Sequence, residues 1–198
     1  MQIGILEPKN FSPTAISMVS KFGNVITYEG RNLKKFLVSL DILFVRLSFQ
    51  IDKSFLDNCL NLKYICSPTT GHNHLDTQYI TKKNIRLITL RGEKDFLCTV
   101  KATPEHTFGL ILATLRKYGN ALADIREGVW DRDKCRGEEL YDNKLGIIGL
   151  GRVGFQVAKY GEAFGANIIF YDKKNVKHKS GWTRSNSLLD LIKKSRIV

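Results

Sequence analysis

The sequence predicts an α/β protein built on parallel sheets. Short apolar runs alternate with polar, helix-forming stretches along the chain, and one of those runs leads directly into a glycine-rich turn that opens a helix. Strands alternating with helices require crossover connections, and crossover helices cover both faces of a parallel sheet.

Taken in order, residues 3–6, 25–27, 42–45, 64–67 and 85–88 read as short buried strands. Between them lie helix candidates at 14–21, 33–40, 54–60 and 75–81. A longer, well-buried helix is expected next. Thr103 can cap it, Pro104 fits its first position, and Glu105 suits the positive end of its dipole. Leu110, Ile111, Leu115 and Tyr118 recur at roughly helical spacing along it. The polar stretch 124–143, which holds Gly128-Val129-Trp130, reads as a connection with Trp130 as its apolar anchor. Residues 144–148 then form a strand, 153–164 a helix and 167–171 a second strand. Ser187 opens a further helix with Asp190 three residues on and an apolar side of Leu188, Leu189, Leu191 and Ile192. Arg196-Ile197-Val198 reads as the opening of a third strand.

The turn is Gly149-Leu150-Gly151-Arg152-Val153-Gly154. A G-x-G-x-x-G match alone is weak, but here a strand precedes it and a helix follows it. The next strand ends at Asp172, 18 residues after Gly154. The first glycine permits the tight turn, the second lets a pyrophosphate approach the backbone, and the third lets helix and strand pack closely. The helix N-terminus offers N–H groups and positive potential to the phosphates. Asp172 can accept from the adenosine ribose hydroxyls and repel a 2′-phosphate, which favours NAD over NADP, although Lys173 and Lys174 beside it work against that choice. The pattern is the first half of a Rossmann dinucleotide-binding domain.

Bulk properties narrow the alternatives. The 198 residues suit one large or two small domains. No apolar run approaches the length of a membrane span, and the N-terminus lacks the pattern of a secretory signal, so a cytoplasmic protein with no membrane partner is expected. Cys59, Cys66, Cys98 and Cys135 are scattered and read as reduced thiols. The net charge of +12 is spread as short lysine pairs, which reads as a solvated surface without a nucleic-acid partner. His72 and His74 form an H-x-H pair with no third ligand at a telling spacing, so no metal is expected and both read as loop structure. His106 reads as a packing and hydrogen-bonding residue, and His178 as exposed.

Ser67-Pro68-Thr69-Thr70-Gly71-His72-Asn73-His74-Leu75-Asp76, then Ala102-Thr103-Pro104-Glu105-His106-Thr107, Gly128-Val129-Trp130 and the glycine turn occur in that order. Together they resemble the D-isomer-specific 2-hydroxyacid dehydrogenases, and most of all their phosphoglycerate-dehydrogenase-like branch. The resemblance implies a flavodoxin-like substrate domain over 1–100, without the C-terminal helix that usually completes it. It implies a partial NAD-binding Rossmann domain over 101–198. It implies an NAD-dependent oxidoreductase acting on the CH–OH group of a small 2-hydroxy or 2-oxo acid. Thr70 and Gly71 would contact the substrate carboxylate, and Gly149, Gly151, Arg152, Val153, Gly154 and Asp172 would hold the cofactor. The helix starting near Pro104 would form a homodimer. The family's catalytic arginine, glutamate and histidine would come later than Val198, so no residue here is assigned to those roles. The sequence then reads as an N-terminal fragment, not expected to turn over alone, because positioned acid–base groups are missing. A non-catalytic dinucleotide-binding or dimerisation module, or a decayed gene product, stays open beside that reading.

Overall fold

Every strand pairing in the computed structural model, which describes residues 1–198, is parallel. The chain divides into two units, Met1–Leu97 and Cys98–Val198.

In the first unit, β1 (Gln2–Ile5), β2 (Asn24–Thr27), β3 (Ile42–Phe44), β4 (Tyr64–Ser67) and β5 (Arg86–Thr89) alternate with α1 (Pro13–Val19), α2 (Leu33–Val38), α3 (Lys53–Leu56) and α4 (Thr77–Lys82). The strand order β2-β1-β3-β4-β5 is that of flavodoxin-like sheets, with its reversal between β1 and β3. Ile3, Leu43 and Ile65 are fully buried on adjacent strands, and Leu37, Leu40, Leu56 and Ile80 bury against the same core. Helix starts are set by side chains: Ser12 accepts from Ala15 N ahead of Pro13, while Asp52 and Asp76 accept from Phe55 N and Tyr79 N. The strands match the sequence expectation to within a residue at each end. The helix expected over 54–60 is cut short at Leu56. There the Asn58 and Cys59 N–H groups turn back onto the Phe55 and Leu56 carbonyls, three residues earlier, at 3.2 and 3.0 Å.

The second unit begins within α5 (Lys94–Thr99) and continues through α6 (Ala102–Leu115), α7 (Tyr118–Arg126), β6 (Lys144–Ile148), α8 (Arg152–Ala163), β7 (Asn167–Tyr171), β8 (Thr183–Arg184) and α9 (Leu188–Lys194). The sheet runs β6-β7-β8. On the free edge of β6, Leu145 bridges Ile197 in parallel, and Gly146 N donates to Ile197 O at 2.8 Å. The spatial order β8-β7-β6-Ile197 is therefore the 3-2-1-4 beginning of a doubly wound sheet, with its reversal at β6.

Several expectations are corrected here. Residues 196–198 lie in fourth place, because β8 comes before them. That strand is two residues long and follows Gly181, so no alternation announces it. It is held by the buried Trp182, whose ring lies 5.0 Å from Phe155 and whose Nε1 donates to Glu162 at 3.2 Å. Thr103 does not cap α6. Lys101 takes that place, so Pro104 sits third in the helix, where an N–H would still lack an intrahelical acceptor. This helix buries only Pro104 and Phe108 and exposes 55% of Leu110. Part of the supposed connection 124–143 is helical, since α7 includes Asp124, buried with Lys134 Nζ at 2.6 Å. Trp130 is 86% exposed and anchors nothing; His106 is exposed too. In α9 only Leu191 is buried, while Leu188, Leu189 and Ile192 face solvent.

That division within α9 is testable by denaturant unfolding. Leu191→Ala should cost about 2–5 kcal/mol through lost burial and a cavity. Leu189→Ala should stay within about 0.5 kcal/mol. Equal costs would contradict the burial seen here.

Candidate functional site

The C-terminal edge of a parallel sheet, at the point where strand order reverses, is where open α/β folds place ligands. In the second unit that edge carries the glycine turn. Gly149 adopts φ +88°, a left-handed conformation that favours glycine, and its N–H donates to Tyr171 O at 2.8 Å. Gly151 caps α8 in extended conformation and has no side chain to accept from the first-turn N–H groups. A Cβ built on Gly151 would meet nothing within 4 Å, so the space over the helix start is open. A Cβ on Gly154 would lie 2.1 Å from Gly149 O, so α8 sits against the turn at a distance only glycine permits. Arg152 and Val153 form the first turn of α8, with Arg152 donating to Val100 O at 3.3 Å.

Asp172 follows β7. Its Oδ2 accepts from Leu150 N at 2.9 Å and its Oδ1 from Lys174 N at 2.8 Å. The Lys174 hydrogen bond, then that of Leu150, and the charges of Arg184 and Lys174 outweigh partial desolvation and hold this carboxyl below the usual range. Each oxygen keeps a lone pair for a hydroxyl. An open helix start, a glycine turn and an ionised acceptor at the end of the next strand fit the pyrophosphate and ribose of a dinucleotide.

The first unit presents its own C-terminal edge. Thr70 and Gly71 are exposed on the loop after β4. Thr69 fixes that loop: its hydroxyl lies 2.9 Å from Ser67 Oγ and donates to Gly71 O at 3.0 Å, and its carbonyl accepts from Leu90 N at 3.2 Å. A Cβ on Gly71 would meet nothing within 4 Å. His72 is spanned by the β5 end, with Nε2 at 3.1 Å from Thr89 Oγ1 and Nδ1 at 3.4 Å from the Arg91 guanidinium. Because Arg91 can only donate, Nδ1 accepts and Nε2 carries the proton. His74 is buried and its Nε2 has no partner. Burial, with His72 nearby, pulls its pKa below the usual value against the opposing charge of Glu7.

Sequence reasoning passed over Glu7, Arg46, Ser48, Arg91 and Arg184. Glu7 accepts from Arg46 N and from Ser48 N, the latter at 3.0 Å, joining the ends of β1 and β3. Each of the first four lies just past a strand, and that position was the available signal. The buried Cys59 and half-buried Cys66 thiols are pushed up to about 11 by desolvation, which leaves them protonated and poor nucleophiles at neutral pH.

Residues 6–94 match the model of the D-isomer specific 2-hydroxyacid dehydrogenase catalytic domain, and residues 108–198 that of the same family's NAD binding domain. The chain belongs to the D-isomer specific 2-hydroxyacid dehydrogenases. It is 31% identical over 190 residues to D-3-phosphoglycerate dehydrogenase of Methanocaldococcus jannaschii, covering 93% of this chain and 35% of that protein. It is 32% identical over 144 residues to hydroxypyruvate reductase of Thermotoga maritima, covering 73% and 45%. The chain thus spans about a third to a little over half of the length of the curated relatives it matches. Among solved structures, D-lactate dehydrogenase from Aquifex aeolicus in complex with NAD and lactic acid superposes with a TM-score of 0.82 at 24% identity, over 98% of this chain and 58% of that one. The TT0316 protein from Thermus thermophilus gives 0.85 at 24%, over 98% and 62%. These likenesses establish the fold, and the second unit is an NAD-binding domain by family.

Two glycines separate stability from binding. Gly154→Ala should lower stability by about 1–3 kcal/mol, because the added carbon meets backbone. Gly151→Ala should leave the melting temperature nearly unchanged yet weaken NADH binding, since its carbon enters the open space. Thermal unfolding and fluorescence titration of both variants check this.

Proposed function

We propose that this chain supplies the adenosine, pyrophosphate and substrate-carboxylate contacts of an NAD-dependent oxidoreductase that interconverts a small 2-hydroxy acid and its 2-oxo acid. The observation that carries the reading is the Leu150 N–H bond to Asp172, which ties the ribose acceptor to the phosphate-binding turn. NAD, when bound, accepts or supplies the hydride. Gly149, Gly151, Arg152, Val153 and Gly154 would line the pyrophosphate with main-chain N–H groups, and Asp172 would take the ribose hydroxyls. The charge of Asp172 favours NAD over NADP. Residues 1–100 would be the substrate domain and 101–198 part of the cofactor domain. In the first, the Thr70 and Gly71 N–H groups would donate to the substrate carboxylate from the loop that Thr69 braces. A second copy of the chain would dock through α6, whose Leu110 is exposed, as are Leu122 and Ile125 on α7.

Titration with NADH tests the cofactor half. Saturable binding is expected, and Asp172→Ala should weaken it about ten- to hundredfold, as for lost hydrogen bonds to a charged group. No saturable change would sink the reading. The pH dependence has a definite sign. Because the folded-state pKa of Asp172 is depressed, its contribution to folding stability is complete above the ordinary carboxylate range and is lost as pH falls through its own lower value, which thermal unfolding across acid pH reads. Asp172→Asn should abolish that acid loss.

The substrate half has its own readout. Adding a 2-oxo acid should shift the amide resonances of Thr70 and Gly71 in an NMR titration. Shifts elsewhere but not in this loop would refute its role.

A further inference from the structure

Arg184 lies on β8, next to β7 in the sheet, and pairs in register with Phe170, two residues before Asp172. Its place is set from both sides. Trp182 is buried against Phe155, and Ser185 N donates to Phe170 O at 2.8 Å. From there the guanidinium reaches the turn after β7. One terminal nitrogen donates to both Asp172 O and Lys174 O at 2.9 Å, and the other donates to Asn175 Oδ1 at 3.0 Å. The same turn delivers Lys174 N to the Asp172 carboxylate.

Resting on the dinucleotide reading above, we propose that Arg184 is a positioning residue for the adenosine ribose subsite. It clamps the 172–175 turn so that Asp172 faces Leu150 N and the ribose hydroxyls, and so sets the preference for NAD over NADP without touching the cofactor. Arginine beside an adenosine ribose would ordinarily point to a 2′-phosphate, which guanidinium groups bind in a two-pronged way. Here both N–H groups of one terminal nitrogen are engaged by carbonyls of the chain itself. Either two-pronged edge of the guanidinium that uses this nitrogen is thereby lost. Lysine could not replace the clamp, because a single ammonium cannot hold three fixed acceptors in the plane of a fork.

The test compares NADH and NADPH affinities, by fluorescence titration of the purified chain, for the native protein, Arg184→Ala, Arg184→Lys and Asn175→Ala. Arg184→Ala should weaken NADH about tenfold, equivalent to about 1.4 kcal/mol, with NADPH little changed, so the ratio narrows. Arg184→Lys should behave like the alanine variant despite keeping its charge. Asn175→Ala, which removes one of the three bonds, should narrow the ratio less and serves as the second variant if Arg184→Ala does not fold. An unchanged ratio, a larger loss for NADPH than for NADH, or full rescue by lysine would overturn the proposal. If the native chain shows no saturable NADH binding, the dinucleotide reading fails first and takes this one with it. If it binds and only the ratios stay fixed, the clamp alone is wrong.

Discussion

The hydrogen bond from Leu150 N to the Asp172 carboxylate joins two turns, each at the end of a strand, that are 22 residues apart in sequence. The dinucleotide reading of the second unit depends on it. It continues the β6–β7 ladder past its last rung, where Gly149 N donates to Tyr171 O. Two consecutive N–H groups of the glycine turn are thus bound to the end of the neighbouring strand. The turn is held open over the helix start, and the acid is held at its side.

Close packing produces that geometry. α8 can start where it does because Gly154 lets it lie against Gly149 O, and Gly161 brings it against Leu145 and Ile168. Val157 and Ala158 are buried on the same helix, against a core that includes Leu145, Ile168 and Phe170. A helix packed this tightly cannot retreat to relieve a side chain added at the turn. Interiors at such density yield little to an extra carbon. Gly154 and Gly161 therefore carry the packing that fixes the turn, while Gly151 keeps the space over the helix start open.

The first unit shapes the C-terminal edge of its sheet by other means. Its loops are braced by polar side chains: Thr69 across its own turn, Glu7 between two strand ends, and His72 between Thr89 and Arg91. A braced loop leaves its main-chain N–H groups available without relying on glycines for a tight turn. This difference explains why the dinucleotide motif was legible as a pattern while the other edge was legible only through family resemblance.

The sequence alone determined the alternation of strands and helices, the glycine turn with its distal aspartate, and the Ser187 cap. Each of these rests on local chemistry: apolar periodicity, backbone freedom, or a side chain reaching an N–H three residues away. Tertiary structure decided what no local rule encodes. It placed the two-residue β8 on the sheet through Trp182, turned Leu188, Leu189 and Ile192 outward while burying Leu191, and left Trp130 in solvent. It also brought Arg184 to the turn after β7. The physical reason is common to all of these. A residue two positions into a weak strand, or on one side of a short helix, acquires its role from the neighbours that pack against it, and those neighbours are distant in the chain.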